Sequence, residues 1–278
     1  MEFTIDLIKG VVDTALREDI GSGDITSECT IRKDAKLKGK LISKADGIIA
    51  GLEVVNYIFK KLNPEIQVNA FFTDGDRVSS GNLIAEITGD GRSILTGERT
   101  ALNFLQRMSG IATMTREFAD RVSGTNSIIL DTRKTAPGLR IIDKWAIKIG
   151  GGQNHRIGLF DMVLIKDNHI DACGGITAAV ERVRYGDRDN RLIEVEVKNI
   201  KELKEAIKLK VDRIMLDNMD LETMKEAVGI VNGKIPLEAS GNVTLDNVSA
   251  IAATGVNYIS VGKLTHSAPA LDISLLLS

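Results

Sequence analysis

Cysteine is nearly absent from this chain. Cys29 and Cys173 are the only two, and they form neither a Cys-x-x-Cys pair nor part of a metal-ligand cluster. That excludes a disulfide framework and fits a reducing compartment. Net basic charge is also absent. The formal charge is −2, whereas a general nucleic-acid binder is usually strongly basic, so no nucleic-acid partner is expected. No apolar run reaches the roughly 18 residues that a membrane helix needs. The N-terminal MEFTIDLIKGVVDTALRED carries acids among its apolar residues, unlike a signal peptide. These absences predict a soluble, cytoplasmic protein with no membrane partner.

Several catalytic signatures are missing as well. His155 and His169 do not stand in a His-Glu-x-x-His arrangement, and no Gly-x-Ser-x-Gly elbow occurs. That sets aside a zinc hydrolase of the first type and a serine-elbow hydrolase. Trp145 and the methionines read as packing.

What is present is an ordinary globular composition, 43% apolar and 27% charged over 278 residues. This is enough for one barrel or two domains. Ile5, Ile8, Val12, Ala15 and Leu16 fall at helical spacing over residues 5–18, and EDIGSGDIT follows as a turn-rich linker. Residues 36–50 alternate as strands around Asp46-Gly47, LEVVNYIFKKL at 52–62 returns to helical period, and QVNAFFT and NLIAEITGDG read as further strands. Strands and helices mixed without strict alternation predict a small α+β domain through about residue 92. A long helix is expected from about Leu95 to Val122, with Arg99 near its start.

Beyond Ser127 the rhythm becomes regular. Strands are expected at 127–131, 162–167, 192–197, 213–217, 235–239 and 257–262, with helices at about 138–149, 175–184, 200–209, 220–230 and 244–252. Continuous apolar strands between amphipathic helices predict a parallel sheet covered by helices. Six strands are too few for a closed eight-stranded barrel, and no Gly-x-Gly-x-x-Gly turn marks a doubly wound sheet. The expected fold class is therefore α/β: an α+β domain followed by an open, incomplete barrel.

In such barrels chemistry sits at the C-terminal strand ends. Those ends carry Asp131, Lys166, Glu196, Asp217, Glu238 with Ser240-Gly241, and Gly262. One such carboxylate is more simply a helix cap; several on consecutive strands point to a common mouth. The stretch Asp131–His169 adds seven Lys/Arg against four Asp around the triple glycine at 150–152. That cation density suits small anions. Arg133, Lys134, Arg156 and Lys166 supply cations, while Glu196 and Asp217 offer oxygens hard enough for Mg²⁺. Glycines at 150–152, 241 and 262 allow backbone N–H groups to approach phosphate. The residues thus point to a phosphorylated, metal-bound substrate. A Schiff-base role for Lys166 and a non-catalytic phosphate sensor remain alternatives.

The segments DTRKTAPGLR, GGGQNHRIGLFD, LIKDNHI, IEVEV, IMLDNM, LEASGNV and ISVGKLTHSA, with DITS at 24–27 and GERTALNFLQRMSG, closely resemble the quinolinate phosphoribosyltransferases over nearly the whole chain. The resemblance implies transfer of phosphoribosyl from phosphoribosyl pyrophosphate to quinolinate with decarboxylation. The products are nicotinate mononucleotide, pyrophosphate and CO₂, in de novo NAD synthesis. It implies an N-terminal α+β sandwich domain at 1–106, on which 266–278 packs, an open α/β barrel at 107–265, and a homodimer in which Arg99 reaches the partner's site. Arg133, His155, Arg156 and Lys166, with that Arg99, would hold the quinolinate carboxylates, and Lys134 would lie toward phosphoribosyl pyrophosphate. Glu196 and Asp217 would hold the Mg²⁺–ribose–pyrophosphate assembly, with Glu196 preferred to Glu194. Ser240, Gly241 and Gly262 would line the 5′-phosphate pocket, with His266 nearby. Lys134, Lys166, Glu196 and Asp217 would be the catalytic set; Arg140 and Asn168 match the motifs without an assigned role. A related phosphoribosyltransferase acting on nicotinate, or a molybdenum-associated paralogue, is the alternative on the same fold; a monoacid would need fewer cations.

Overall fold

Hydrophobic period translates closely into elements. The computed structural model describes residues 3–277. After a 3-10 turn at Ile5–Leu7 come α1 (Lys9–Ile20), α2 (Ile25–Thr30), β1 (Lys36–Ser43), β2 (Gly47–Ile48) and α3 (Leu52–Leu62). Next, β3 (Gln67–Ala70), β4 (Arg77–Val78) and β5 (Leu83–Asp90) lead into α4 (Gly91–Arg121). The alternating region opens with β6 (Ile128–Leu130), α5 (Arg140–Ile149), β7 (Val163–Ile165), α6 (Asp167–Cys173), α7 (Ile176–Gly186) and β8 (Ile193–Val197). It continues through α8 (Ile200–Lys208), β9 (Arg213–Asp217), α9 (Leu221–Val231), β10 (Leu237–Ser240), α10 (Val248–Ala252) and β11 (Tyr258–Ser260) to α11 (Lys263–His266) and β12 (Ile273–Leu277).

Two expectations about elements are corrected. The segment read as a linker, residues 18–26, is entered from both ends by helices: α1 runs on to Ile20, and α2 opens at Ile25 because Asp24 caps it, its carboxylate accepting the Ser27 N–H at 3.0 Å and the Ser27 hydroxyl at 2.6 Å. The helix expected from 244 starts only at Val248. There the Asn247 side chain accepts the Thr244 N–H at 2.8 Å and closes a turn in place of the first helical turn.

The chain divides into two units, one holding the residues up to Arg116, Thr135–Gly151 and those from Leu264, the other holding Glu117–Lys134 and Gly152–Lys263. In the first, four antiparallel strands run in the order β12-β1-β5-β3. β1 pairs β12 from Gly39↔Leu277 to Ser43↔Ile273 and β5 from Lys36↔Asp90, with a bulge after Leu41. The start of α3 is closed from a distance: Asp74 accepts the N–H groups of Gly51 and Leu52 at 2.9–3.0 Å. α4 presents Arg107, whose guanidinium grips both oxygens of the fully buried Asp143 at 2.8 Å.

The second unit is a six-stranded parallel sheet in the order β6-β11-β10-β9-β8-β7. Among the described residues β6 and β7 do not pair, so the barrel stays open as expected. The outer edge of β6 is taken instead by Gln153, which donates to Ile129 O at 2.8 Å and accepts the Asp131 N–H at 3.2 Å. One sheet face, with Val195, Val197, Ile214, Leu216, Leu237, Ala239 and Ile259, is buried and apolar. The period of two turns a second set the other way: Leu164 and Lys166, Glu194 and Glu196, Met215 and Asp217, Glu238 and Ser240.

Burial pushes the Asp143 carboxyl above its ordinary range, and the Arg107 hydrogen bonds and charge partly offset this. Arg107→Met is therefore expected to lower stability by about 3–5 kcal/mol by stranding a buried carboxylate. Losing the cation raises the folded-state pKa of Asp143 further. The folded variant then binds a proton more tightly than its unfolded chain, so its deficit against the parent narrows as pH falls through that raised pKa. Thermal midpoints of both proteins at about pH 8 and about pH 5 check the magnitude and the sign.

Candidate active site

Asp131, just past β6, is the anchor of the cation-bearing segment. It is fully buried, and its two oxygens accept the His155 backbone N–H and the Asn154 side-chain amide, each at 2.8 Å. The sequence expectation that Asp131 is one of the polar groups of the mouth is thereby corrected. Both of its oxygens face the 153–156 segment and fix it beside β6. The following loop is closed by Asp161, which accepts the N–H groups of Ile157 and Gly158 at 2.7 and 2.9 Å.

These tethers present the cations to a cleft of about 340 Å³. Its walls include Arg133, Lys134, His155, Arg156, Lys166 and Ser240, six of the residues picked from sequence. Thr132, Leu164, Met215, Glu238 and Ser260 complete it. Arg156 is buried, and its Nη1 donates to Met162 O at 3.2 Å. Burial pulls its pKa down, and the Arg133 charge beside it pulls further, with Asp161 and Glu194 offsetting in part. Two guanidiniums that oppose each other's charge at one cleft are relieved by an anion between them.

Lys166 caps β7 at the solvent end. Its Nζ lies 3.2 Å from Glu196 Oε2, and its backbone N–H donates to His169 Nδ1 at 3.0 Å. His169 thus fixes the turn that carries Lys166. Glu196 pairs in register with Met215, so it shares that residue's face, and Asp217 follows two residues on. The two carboxylates sit on adjacent strands at the sheet's C-terminal end, Glu196 buried and Asp217 half-buried with Oδ1 accepting from Asn218 at 3.0 Å. Mg²⁺ usually keeps several waters and binds through one or two carboxylates plus substrate phosphate, so this pair fits it. Gly241 follows Ser240 with φ +101°, and Gly262 stands two residues beyond Ser260. Arg99 and His266 belong to the first unit. Both are exposed, and His266 Nδ1 lies 2.5 Å from the Ser267 hydroxyl. Arg140 donates to the Thr135 hydroxyl at 3.1 Å in that unit, while Asn168 is exposed on α6.

Sequence reasoning named Glu238 at a strand end and set Glu194 behind Glu196, but missed that both are buried against His155. Glu194 and Glu238 are fully buried, with His155 Nε2 at 2.9 Å from Glu194 Oε2 and 3.4 Å from Glu238 Oε2. Arg213 Nη1 reaches Glu238 Oε2 at 3.1 Å and its guanidinium lies 4.2 Å over the Tyr258 ring. Burial alone would lower the His155 pKa, but the two carboxylates overcome this and raise it to about 9. His155 Nδ1, however, accepts the Arg156 backbone N–H at 2.8 Å and so must keep a lone pair. That bond decides for the neutral ring with its proton on Nε2, facing the carboxylates. Burial and the Glu238 charge push the Glu194 carboxyl up. Glu238 stays low despite its burial, held by His155, Ser260 and Arg213. His155, Glu194 and Glu238 offer ligand atoms within 4.8 Å of one another. Arg213 already supplies a positive charge at Glu238. The clue in sequence was the period of two in IEVEV, which puts Glu194 on the face of Glu196.

The first unit holds a larger cavity, about 590 Å³, beside α1, α4 and residues 137–139. Its charged lining residues are Glu18, Asp19 and Arg107, and the last is committed to Asp143. The cation cluster marks the smaller cleft as the site.

A Cβ at position 241 would fall 2.1 Å from Asn218 Oδ1 on a left-handed backbone. Gly241→Ala should therefore lose about 1–3 kcal/mol. Adding Asn218→Gly should recover the steric part only, since the backbone strain remains; thermal midpoints of the single and double variants check this.

The sequence matches two family models, quinolinate phosphoribosyl transferase N-terminal domain over residues 24–109 and C-terminal domain over 111–276. A quinolinate phosphoribosyltransferase [decarboxylating] of Nicotiana tabacum is 48% identical, over 98% of this chain and 82% of that one. A probable nicotinate-nucleotide pyrophosphorylase [carboxylating] of Bacillus subtilis is 42% identical, over 96% and 92%. The crystal structure of NadC from Streptococcus pyogenes superposes with a TM-score of 0.96 at 39% identity, covering 100% of this chain and 99% of that one. The chain belongs to the quinolinate phosphoribosyltransferase family.

Proposed function

We propose that the cleft performs this family's reaction as follows. The protein transfers the phosphoribosyl group of phosphoribosyl pyrophosphate to quinolinate and releases CO₂, giving nicotinate mononucleotide and pyrophosphate. The observation that carries the assignment of the acceptor end is the crowding of Arg133 and Arg156 at one cleft, with Lys166 across it. Quinolinate brings two adjacent carboxylates, and planar guanidiniums bind such groups in two-pronged fashion. Held there, the ring nitrogen faces the ribose carbon, which keeps the encounter productive without a dedicated base.

The C1′–oxygen bond to pyrophosphate breaks as the C1′–nitrogen bond forms, and positive charge gathers on the ribose. Glu196 and Asp217, at the neighbouring strand ends, stabilise that charge and hold the ribose hydroxyls. Mg²⁺ bound by the same pair would neutralise the pyrophosphate as it leaves. Lys134, exposed at the rim, lies toward the pyrophosphate, and Ser240, Gly241 and Gly262 receive the 5′-phosphate. The pyridinium formed by transfer then accepts the electron pair of the breaking C2–carboxylate bond, and CO₂ departs.

The working unit in this reading is a homodimer. Arg99 is exposed on α4 of a single chain, which supports its use by a partner's cleft. None of the described helices is long and apolar enough to cross a membrane. The free thiols of Cys29 and Cys173 support a cytoplasmic setting. A monoacid such as nicotinate would leave part of the cation set unpaired, which favours the diacid.

Incubation with quinolinate, phosphoribosyl pyrophosphate and Mg²⁺ should yield nicotinate mononucleotide and CO₂, and chelation of the metal should stop it. Product from nicotinate and none from quinolinate would reverse the assignment. Mixing Arg99→Ala chains with inactive Lys166→Ala chains should restore activity, since half of the hybrid's sites then carry both native residues. Confirmed mixing without rescue would rule out a shared site.

A further inference from the structure

Both ring nitrogens of His155 face protein atoms, although the ring lines the cleft, and Nε2 approaches two carboxylates without hydrogen-bond geometry. Nδ1 receives the Arg156 N–H at 2.8 Å, and Nε2 lies 2.9 Å from Glu194 and 3.4 Å from Glu238. Only its carbon edge is left for a ligand. Two fully buried carboxylates under a substrate cleft are costly unless held by cations and hydrogen bonds. Here Arg213 holds Glu238 at 3.1 Å and is itself stacked on Tyr258.

We infer that His155 is a positioning residue. Tyr258, Arg213, Glu238 and Glu194 form a strut along the sheet whose buried acids pack against the imidazole at Nε2, and the imidazole fixes Arg156 by Nδ1. The inference rests on the reading that quinolinate is the acceptor, and it deepens that reading by naming what aims the carboxylate-binding arginine. The chain of contacts is continuous from β11 through β9, β10 and β8 to the 153–156 segment. That segment is tied independently by Asp131 at the His155 N–H. Asp131 therefore sets where the segment runs, and the strut sets how the ring and the Arg156 peptide are rotated. An arginine displaced by a fraction of an ångström loses its two-pronged grip on a carboxylate, while binding of the phosphoribosyl end, at Ser240 and Gly262, is untouched. Glu238 is part of the cleft wall whereas Glu194 is not, so Glu194→Gln is the variant that reports most directly on the strut.

The test compares Glu194→Gln and Glu238→Gln with the parent in steady-state kinetics for each substrate, with phthalate binding by calorimetry as a probe of the diacid site alone. KM for quinolinate and Kd for phthalate should rise about tenfold while KM for phosphoribosyl pyrophosphate stays within about twofold. Should a buried-charge variant fail to fold, Tyr258→Leu, which removes only the ring beneath Arg213, should still raise KM for quinolinate about threefold. Unchanged quinolinate KM in folded variants, or an equal rise for both substrates, overturns the strut while leaving the reaction assignment intact. A parent that does not turn over quinolinate overturns that assignment and the inference with it.

Discussion

The acceptor half of the site depends on one buried carboxylate. Asp131 takes the His155 N–H and the Asn154 amide, so the segment carrying His155 and Arg156 runs beside β6 in the place a neighbouring strand would occupy. That substitution keeps the barrel open, and it brings Arg156 against Arg133, which leaves β6 two residues after Asp131. Openness of the sheet and cation density of the cleft are two results of the same contact. A regular strand at 153–156 would turn alternate side chains away from the mouth; a tethered, irregular segment can offer successive ones.

The interior of the sheet works as an electrostatic stack. At its base Arg213 lies over Tyr258, above it Glu238 and Glu194 face His155, and at the solvent end Lys166 meets Glu196. Arg213 at the base and Lys166 at the solvent end offset the acids between them, which lets carboxylates lie under a site built for an anion. The layers also separate tasks. The buried acids never reach solvent, while Glu196 and Asp217, two residues further along their strands, stand where a ribose or a metal can be met. Two residues of strand, about 7 Å, decide whether a carboxylate supports or acts.

Most of the fold was written in local pattern. The six parallel strands fall within a residue or two of the alternating apolar runs, and α3 coincides with the period at 52–62, because burial of one face is a property of spacing. The misses were places where a side chain replaces a backbone partner. Asp24 turned an apparent linker into α2, and Asn247 delayed α10. Neither effect shows in hydrophobic period.

The sequence by itself determined the strand ends, and hence that Arg133, Lys134, Lys166, Ser240 and their neighbours would collect at one mouth: in a parallel sheet every strand ends on the same side. Composition and order of motifs were enough to recognise the family. Tertiary structure alone decided which polar groups are exposed and which are spent. Asp131 and His169 became anchors, Glu194 and Glu238 went to the interior, and both nitrogens of His155 were turned toward the protein. Those outcomes turn on register between strands far apart in the chain, such as Glu194 beside Leu164 and Arg213. A contact between distant segments fixes the charge and direction of a side chain, and no local spacing encodes it.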